Sequence, residues 1–198
     1  MAQTEHLGLH QWETTDSFLR TDFNEDFAKI DAAVGTMEGH LAAVPVEKIA
    51  SVNLAEKSSQ MELDLSGIDL SRYTCLRLVW YGVGTARSTV CMRVNGLTGN
   101  IYYSQTVGSS SAQNDGNYLY LGALSEADYG GRGGGFADFF PSCTALGGAL
   151  FYTTRPYYGS DHFAVDGIAL EELDSIQIYL SSGGELKAGS RAALYGLK

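Results

Sequence analysis

From residue 46 onward the apolar positions recur with a period of two. "SQMELDLSG" sets Met61, Leu63 and Leu65 against Glu62 and Asp64. "TCLRLVWYG" sets Leu76, Leu78 and Trp80 against Arg77, Val79 and Tyr81, and "STVCMRVNG" alternates Val90, Met92 and Val94 with Cys91 and Arg93. "SIQIYLS" repeats the pattern through Ile176, Ile178 and Leu180, and "SRAALYGLK" reads as a last strand. Further strands are expected near 46–54, 117–123, 147–154 and 162–170. Clean alternation predicts strands with one face in a core and one in water. No helical pattern recurs between them, and parallel strands need crossover helices, so the sheets should be antiparallel. Eight or nine such strands, split by Gly- and Ser-rich turns, predict a mainly β fold, best described as a two-sheet jelly-roll sandwich.

Ahead of Pro45 the period changes. Phe23, Phe27, Ile30, Val34, Met37, Leu41 and Val44 are spaced 4, 3, 4, 3, 4 and 3, the a/d seam of a short coiled coil. Asp22 and Glu25 have capping-box spacing, Thr21 is an alternative N-cap, and Pro45 stops the helix. Gly35 and Gly39 lie off the seam and weaken the helix, while Asp26 and Asp31 would repel across an interface. Two readings stand: self-association, with Phe at both core positions favouring a homotrimer, or one helix packed on its own domain. Residues 1–45 are therefore set apart as a leader and residues 46–198 as a head domain. Within the leader, Leu9, Trp12 and Phe18 are apolar groups in a stretch with no period. They are expected to fold back on the helix or to dock into a partner.

Composition narrows the partners. The 198 residues carry a net charge of −10 with only 13 Lys and Arg. Nucleic-acid binding needs clustered cations, so it is not expected, and an anionic membrane surface would repel the chain. No apolar stretch is long enough to span a membrane, and "MAQTEH" has no basic n-region or apolar run, so no membrane insertion and no signal peptide are expected. Cys75, Cys91 and Cys143 fit no zinc spacing and read as reduced, mostly buried thiols. No cofactor motif and no metal site are expected.

Candidate chemistry lies in three irregular stretches, 106–117, 125–142 and 153–163, read as loops. "GGRGGG" follows no βα unit and no Lys-Ser/Thr pair follows it, so it reads as a flexible tip. "TTRPYYGSDHF" puts two rings, Tyr157 and Tyr158, beside Arg155, Asp161 and His162. Flat rings with directional polar groups suit a sugar, provided Pro156 and Gly159 turn the chain so both rings meet one ligand. The same tyrosines could simply cap the core. Asp128, Asp138, Asp161, Asp166, Glu171 and Glu172 are the carboxylates a glycosidase would need in a pair, but no hydrolase motif accompanies them and catalysis is not expected. Asp161 with Asp166, or "NDGN", could hold calcium, without EF-hand spacing.

One stretch carries a resemblance. Gly8, Leu9, Gln11, Trp12, Asp16, Arg20, Asp22, Phe23, Asn24, Asp26, Ile30 and Asp31 resemble the opening of tail-fibre and minor tail proteins of phages and prophages of Gram-positive bacteria. Two shorter likenesses accompany it. "LDLSGIDLSRYTCLRLVWYG" looks like the front half of carbohydrate-binding jelly rolls, and "GSRAALYG" like the last strand of phage tail jelly rolls. The resemblance implies a virion protein, attached to other virion proteins through its N-terminus, commonly trimeric, with a β-rich head that meets a host-surface glycan or protein. Two other readings are a purely structural virion component and a small polysaccharide-cleaving enzyme.

Overall fold

The period-two pattern becomes a mainly β, antiparallel structure. The computed structural model describes residues 2–17, 19–42, 45–85, 87–106, 113–125, 131–140, 145–154, 157–181 and 183–198, without the side chains of residues 41, 42, 106, 113–115, 153, 154, 157 and 158. Phe18, Val44, Asp128, Cys143 and Arg155 thus lie outside the described residues, as do the side chains of Leu41, Tyr157 and Tyr158. The chain divides into two compact units, Met1–Pro45 and Val46–Lys198.

The first unit is a small hairpin, β1 (Ala2–Gln3) and β2 (His10–Gln11), with one helix, α1 (Arg20–Ala42). The hairpin loop closes through Thr4, whose N–H donates to the Leu9 carbonyl at 2.9 Å and whose hydroxyl accepts the Leu9 N–H at 2.9 Å. Helix α1 starts two residues before Asp22, so Asp22 sits in the first turn, where the helix dipole favours a negative charge. The helix runs unbroken through Gly35 and Gly39. Trp12 finds a partner within its own chain, stacking on Phe23 at 5.2 Å between ring centroids. Leu9, Trp12, Phe23 and Phe27 line a pocket of about 240 Å³ between hairpin and helix.

Asp26, expected to repel a neighbour, is instead a buried anchor. It accepts the His10 N–H at 2.9 Å and lies 2.9 Å from the His10 ring Nδ1, and Lys29 donates to the Gly8 carbonyl at 2.8 Å. Burial pushes the Asp26 carboxyl up, but the two His10 hydrogen bonds and the charges of His10 and Lys29 outweigh it and hold it below the usual carboxylate range. Along the seam, Phe27, Val34 and Met37 are 61, 47 and 63 % exposed within the single chain.

The second unit holds two larger sheets built from β3 (Val46–Asn53), β4 (Gln60–Asp64), β5 (Cys75–Val83), β6 (Ser88–Val94), β7 (Tyr102–Thr106), β8 (Gln113–Gly116), β9 (Leu119–Leu124), β10 (Arg132–Phe140), β11 (Ala145–Thr154), β12 (Tyr157–Asp166), β13 (Ser175–Leu180) and β14 (Arg191–Leu197). The order in one is β3-β14-β5-β10-β11-β12-β7-β8, and in the other β4-β13-β6-β9. The expected inward residues are the core: Met61, Leu63, Leu65, Leu76, Leu78, Trp80, Val90, Met92, Val94, Ile176, Ile178 and Leu180 belong to one buried cluster fed by both sheets. The stretch around Leu70-Ser71-Arg72 is a single 3-10 turn, with Leu70 buried and the Ser71 N–H donating to Asp69 at 3.1 Å. Cys75 and Cys91 are buried free thiols.

The structure corrects the three stretches read as loops. From Arg132 onward "GGRGGG" is no flexible tip: Arg132–Gly135 opens β10, which lies between β5 and β11 in the middle of the eight-stranded sheet. Its glycines are there for lack of room. A Cβ on Gly133 would run into the Ala123 carbonyl, and one on Gly135 into the Phe151 carbonyl. The first stretch contributes β8, so "NDGN" begins in a strand. Most of the third is β12, with Gly159 paired to Tyr152 and not in a turn.

Candidate functional site

Strand register determines what meets on the outer face of the eight-stranded sheet, the face turned away from the core. Phe136 pairs with Val79 on one side and Phe151 on the other; Val79 continues to Ala193 and Ser51, and Phe151 to Ser160. The result is a transverse row with an apolar centre, Val79–Phe136–Phe151. Val79 and Phe151 are 42 and 44 % exposed, and the two phenylalanine rings stack with centroids 4.8 Å apart. Phe136 is the half-buried residue between them, and Gly134, two residues earlier on the same face, adds no side chain beside it.

A polar row lies on each side of this strip. On one side are Lys48, Tyr195, Arg77, Asp138, Ala149, His162 and Gln105, again in strand register. Arg77 grips Asp138 bidentately, Nε to Oδ1 at 2.6 Å and Nη2 to Oδ2 at 2.7 Å. These hydrogen bonds push the Arg77 pKa further above its already high value. The same guanidinium lies 4.8 Å from the Phe136 ring centroid, so Arg77, Phe136 and Phe151 form one stack across three strands. Asp138 holds the cation over the ring and leaves Arg77 a fixed hydrogen-bonding edge. On the other side are Asn53, Arg191, Tyr81 and Gly134, with the Arg191 guanidinium 5.0 Å from the Tyr81 ring centroid.

An apolar strip, exposed at Val79 and Phe151 and half-buried at Phe136, between two hydrogen-bonding rows suits the chemistry of a pyranose, which carries apolar C–H groups and polar hydroxyls. The pre-set geometry also limits the ordering cost of binding, because Arg77 is already held.

The candidate residues read from sequence separate here. His162 is exposed on the outer face, beside Ala149 and Gln105. Asp161 is on the inner face, 5 % exposed, and its Oδ1 has no hydrogen-bond partner. Its charge acts on two half-buried tyrosines, Tyr120 and Tyr152, whose rings meet edge-on at 5.3 Å. Burial, then Tyr152 and Asp161, push the Tyr120 hydroxyl up to about 12, and burial with Asp161 raises that of Tyr152. Asp161 and His162 therefore cannot meet one ligand, and Asp138 and Asp161 lie on opposite faces of the sheet. Tyr157 and Tyr158 are consecutive strand positions paired with Thr154 and Thr153, so the turn that would bring both to one ligand is not at Gly159. Among the described residues no three His, Cys, Asp or Glu side chains converge as a metal site would require, and no helix is long and apolar enough to cross a membrane.

Phe136 and Phe151 do not stand out in the sequence. "GFADFF" and "GALFYTT" each show an aromatic in an alternating run, but nothing in the chain tells which strands are neighbours.

Compared with known proteins, the chain matches no family profile and no curated protein. Among solved structures it is similar to the Caenorhabditis elegans galectin LEC-6, at 13 % identity and a TM-score of 0.34 over 73 % of this chain and 95 % of that one. It is similar to sheep galectin-11 at 7 % identity and a TM-score of 0.27, over 70 % and 98 %. A third likeness is to the CBM2 module of the evolved Dit of Lactobacillus casei BL23 phage J-1, at 13 % identity and a TM-score of 0.23, over 76 % of each chain. TM-scores this low establish neither a shared fold nor a shared function, and the sheet face stands on its own geometry.

Proposed function

We propose that the protein is a carbohydrate-binding fibre component of a phage-type particle, acting by adhesion and not by catalysis. The observation that carries the binding part is the Val79–Phe136–Phe151 strip, exposed at both ends and set between two polar rows on the outer sheet face. In this reading the two larger sheets make a jelly-roll sandwich whose broad outer face meets a host-surface glycan. The fibre part rests on the N-terminal resemblance. In it, residues 1–45 attach the protein to other virion proteins, and the seam of α1 joins three copies. The exposure of Phe27, Val34 and Met37 in the single chain supports self-association, because burying such a strip between copies removes apolar surface from water. Trp12 and Leu9, already packed against the helix, shape the attachment surface.

The test is an oligosaccharide microarray probed with the wild type and with Phe136→Ala/Phe151→Ala, each checked for folding by circular dichroism and melting. Apolar contact with each ring contributes about 1 kcal/mol, so the double variant should bind about tenfold to thirtyfold more weakly. Equal binding by a folded double variant would remove this site.

A further inference from the structure

The outer face continues past the phenylalanine strip into a groove of about 340 Å³ over β3, β14 and β5. The groove exists because of residue size. Ala193, its floor, is flanked in register by the small Ser51 and by Val79, while larger side chains rise at both ends. Arg191 and Tyr81 close one end and Lys48 and Tyr195 the other. Lys48 and Arg191 lie four residues apart in β14 register, Lys48 being opposite Tyr195, a span of roughly 13 Å at the rise of an antiparallel strand.

The charge of this groove runs against that of the protein. The chain carries −10, yet the groove lining has two cations and no carboxylate. Two further strand-borne cations share this face: Arg77, bound bidentately by Asp138, and Arg132 at the start of β10. Among the described residues, Lys29, Lys57, Arg72 and Lys198 also have carboxylate partners. Lys48 and Arg191, like Arg20, Arg93 and Lys187, form no ion pair among the described residues, but only these two stand together in one groove; the Arg191 guanidinium lies over the Tyr81 ring, which fixes its direction while leaving its charge unneutralised. Ser51 adds an exposed hydroxyl between them, and Asn53 an exposed amide beside Arg191.

We propose that this groove is a subsite for an acidic saccharide, one bearing a carboxylate or phosphate, which Lys48 and Arg191 recognise while the neighbouring sugar lies on the Phe136–Phe151 strip. The inference rests on the carbohydrate-binding reading and adds the charge of the ligand to it. In a chain so acidic, two uncompensated cations at the ends of one groove select an anion by attraction and leave neutral glycans without that gain.

The experiment probes a microarray of uronate-bearing, phosphate-bearing and neutral oligosaccharides at low and high salt. The proteins are the wild type, Lys48→Gln/Arg191→Gln, the single Lys48→Gln, Arg191→Lys and Phe136→Ala/Phe151→Ala. The wild type should retain acidic glycans, more weakly at high salt. Lys48→Gln/Arg191→Gln should lose about tenfold or more on them, Lys48→Gln part of that, and Arg191→Lys least. Lys48→Gln carries the test if the double variant melts early. The uronate and phosphate arms show which anion is held. Retention of neutral glycans alone, or acidic binding unchanged in the folded charge variants, would overturn the acidic subsite while leaving the phenylalanine strip in place. No retention of any glycan by the wild type would overturn both.

Discussion

Gly135 shows how a single residue determines whether this sheet closes. The Phe151 carbonyl occupies the space a Cβ would need, so any side chain there must push β11 away from β10. Gly135→Val should therefore destabilise the protein by roughly 1–3 kcal/mol, as overpacked sites do, and lower Tm by roughly 2–4 °C for each kcal/mol. Gly35 in α1 is the opposite case, with no neighbouring atom within 4 Å of the place a Cβ would take. Gly35→Ala should add about 0.5–1 kcal/mol to the helix, because only chain entropy is at stake. Paired melting curves check both signs; a neutral Gly135→Val would mean that β10 and β11 are not in this close register. The chemistry of these residues was legible only in part. Glycine in sequence signals a turn or a close approach alike, and the difference is a neighbour the sequence does not name.

Among the strands and the helix, alternation carried most of the information. Strands β4, β5, β6 and β13 were readable because their inward residues are all large and apolar. Strand β10 was not, since the three glycines after Arg132 have no side chains to alternate; of β12 only the second half was expected as strand, its first half being hidden behind a tyrosine pair that suggested a loop. Helix α1 was readable in extent to within two residues at its start, but Asp26 was read as a repulsive surface charge because its partner His10 comes from the hairpin. The proposed seam of α1 can be tested on the helix alone. Val34→Asp/Met37→Asp changes two residues already exposed in the single chain, so the monomer should fold as before. Sedimentation should show a trimer for the wild type and monomers for the variant, with the far-ultraviolet strand signal unchanged. A wild type that sediments as a monomer would contradict the seam.

In the molecule as a whole, the proposed function divides between the two units: Met1–Pro45 for attachment and assembly, Val46–Lys198 for binding. Three heads on one fibre would turn a weak single-site affinity into firm adhesion through effective concentration. What sequence could not supply is the strand order that brings Val79, Phe136 and Phe151 side by side from three separate strands. If the proposal holds, this outer face, and no other surface, carries the sugar. The most direct measurement is a nuclear magnetic resonance titration of the ¹⁵N-labelled full chain with an oligosaccharide retained on the microarray. Shifts should concentrate at the amides of Val79, Phe136, Phe151 and Ser160. Shifts confined to the outward residues of the four-stranded sheet, such as Glu62, Arg93 and Gln177, would contradict it.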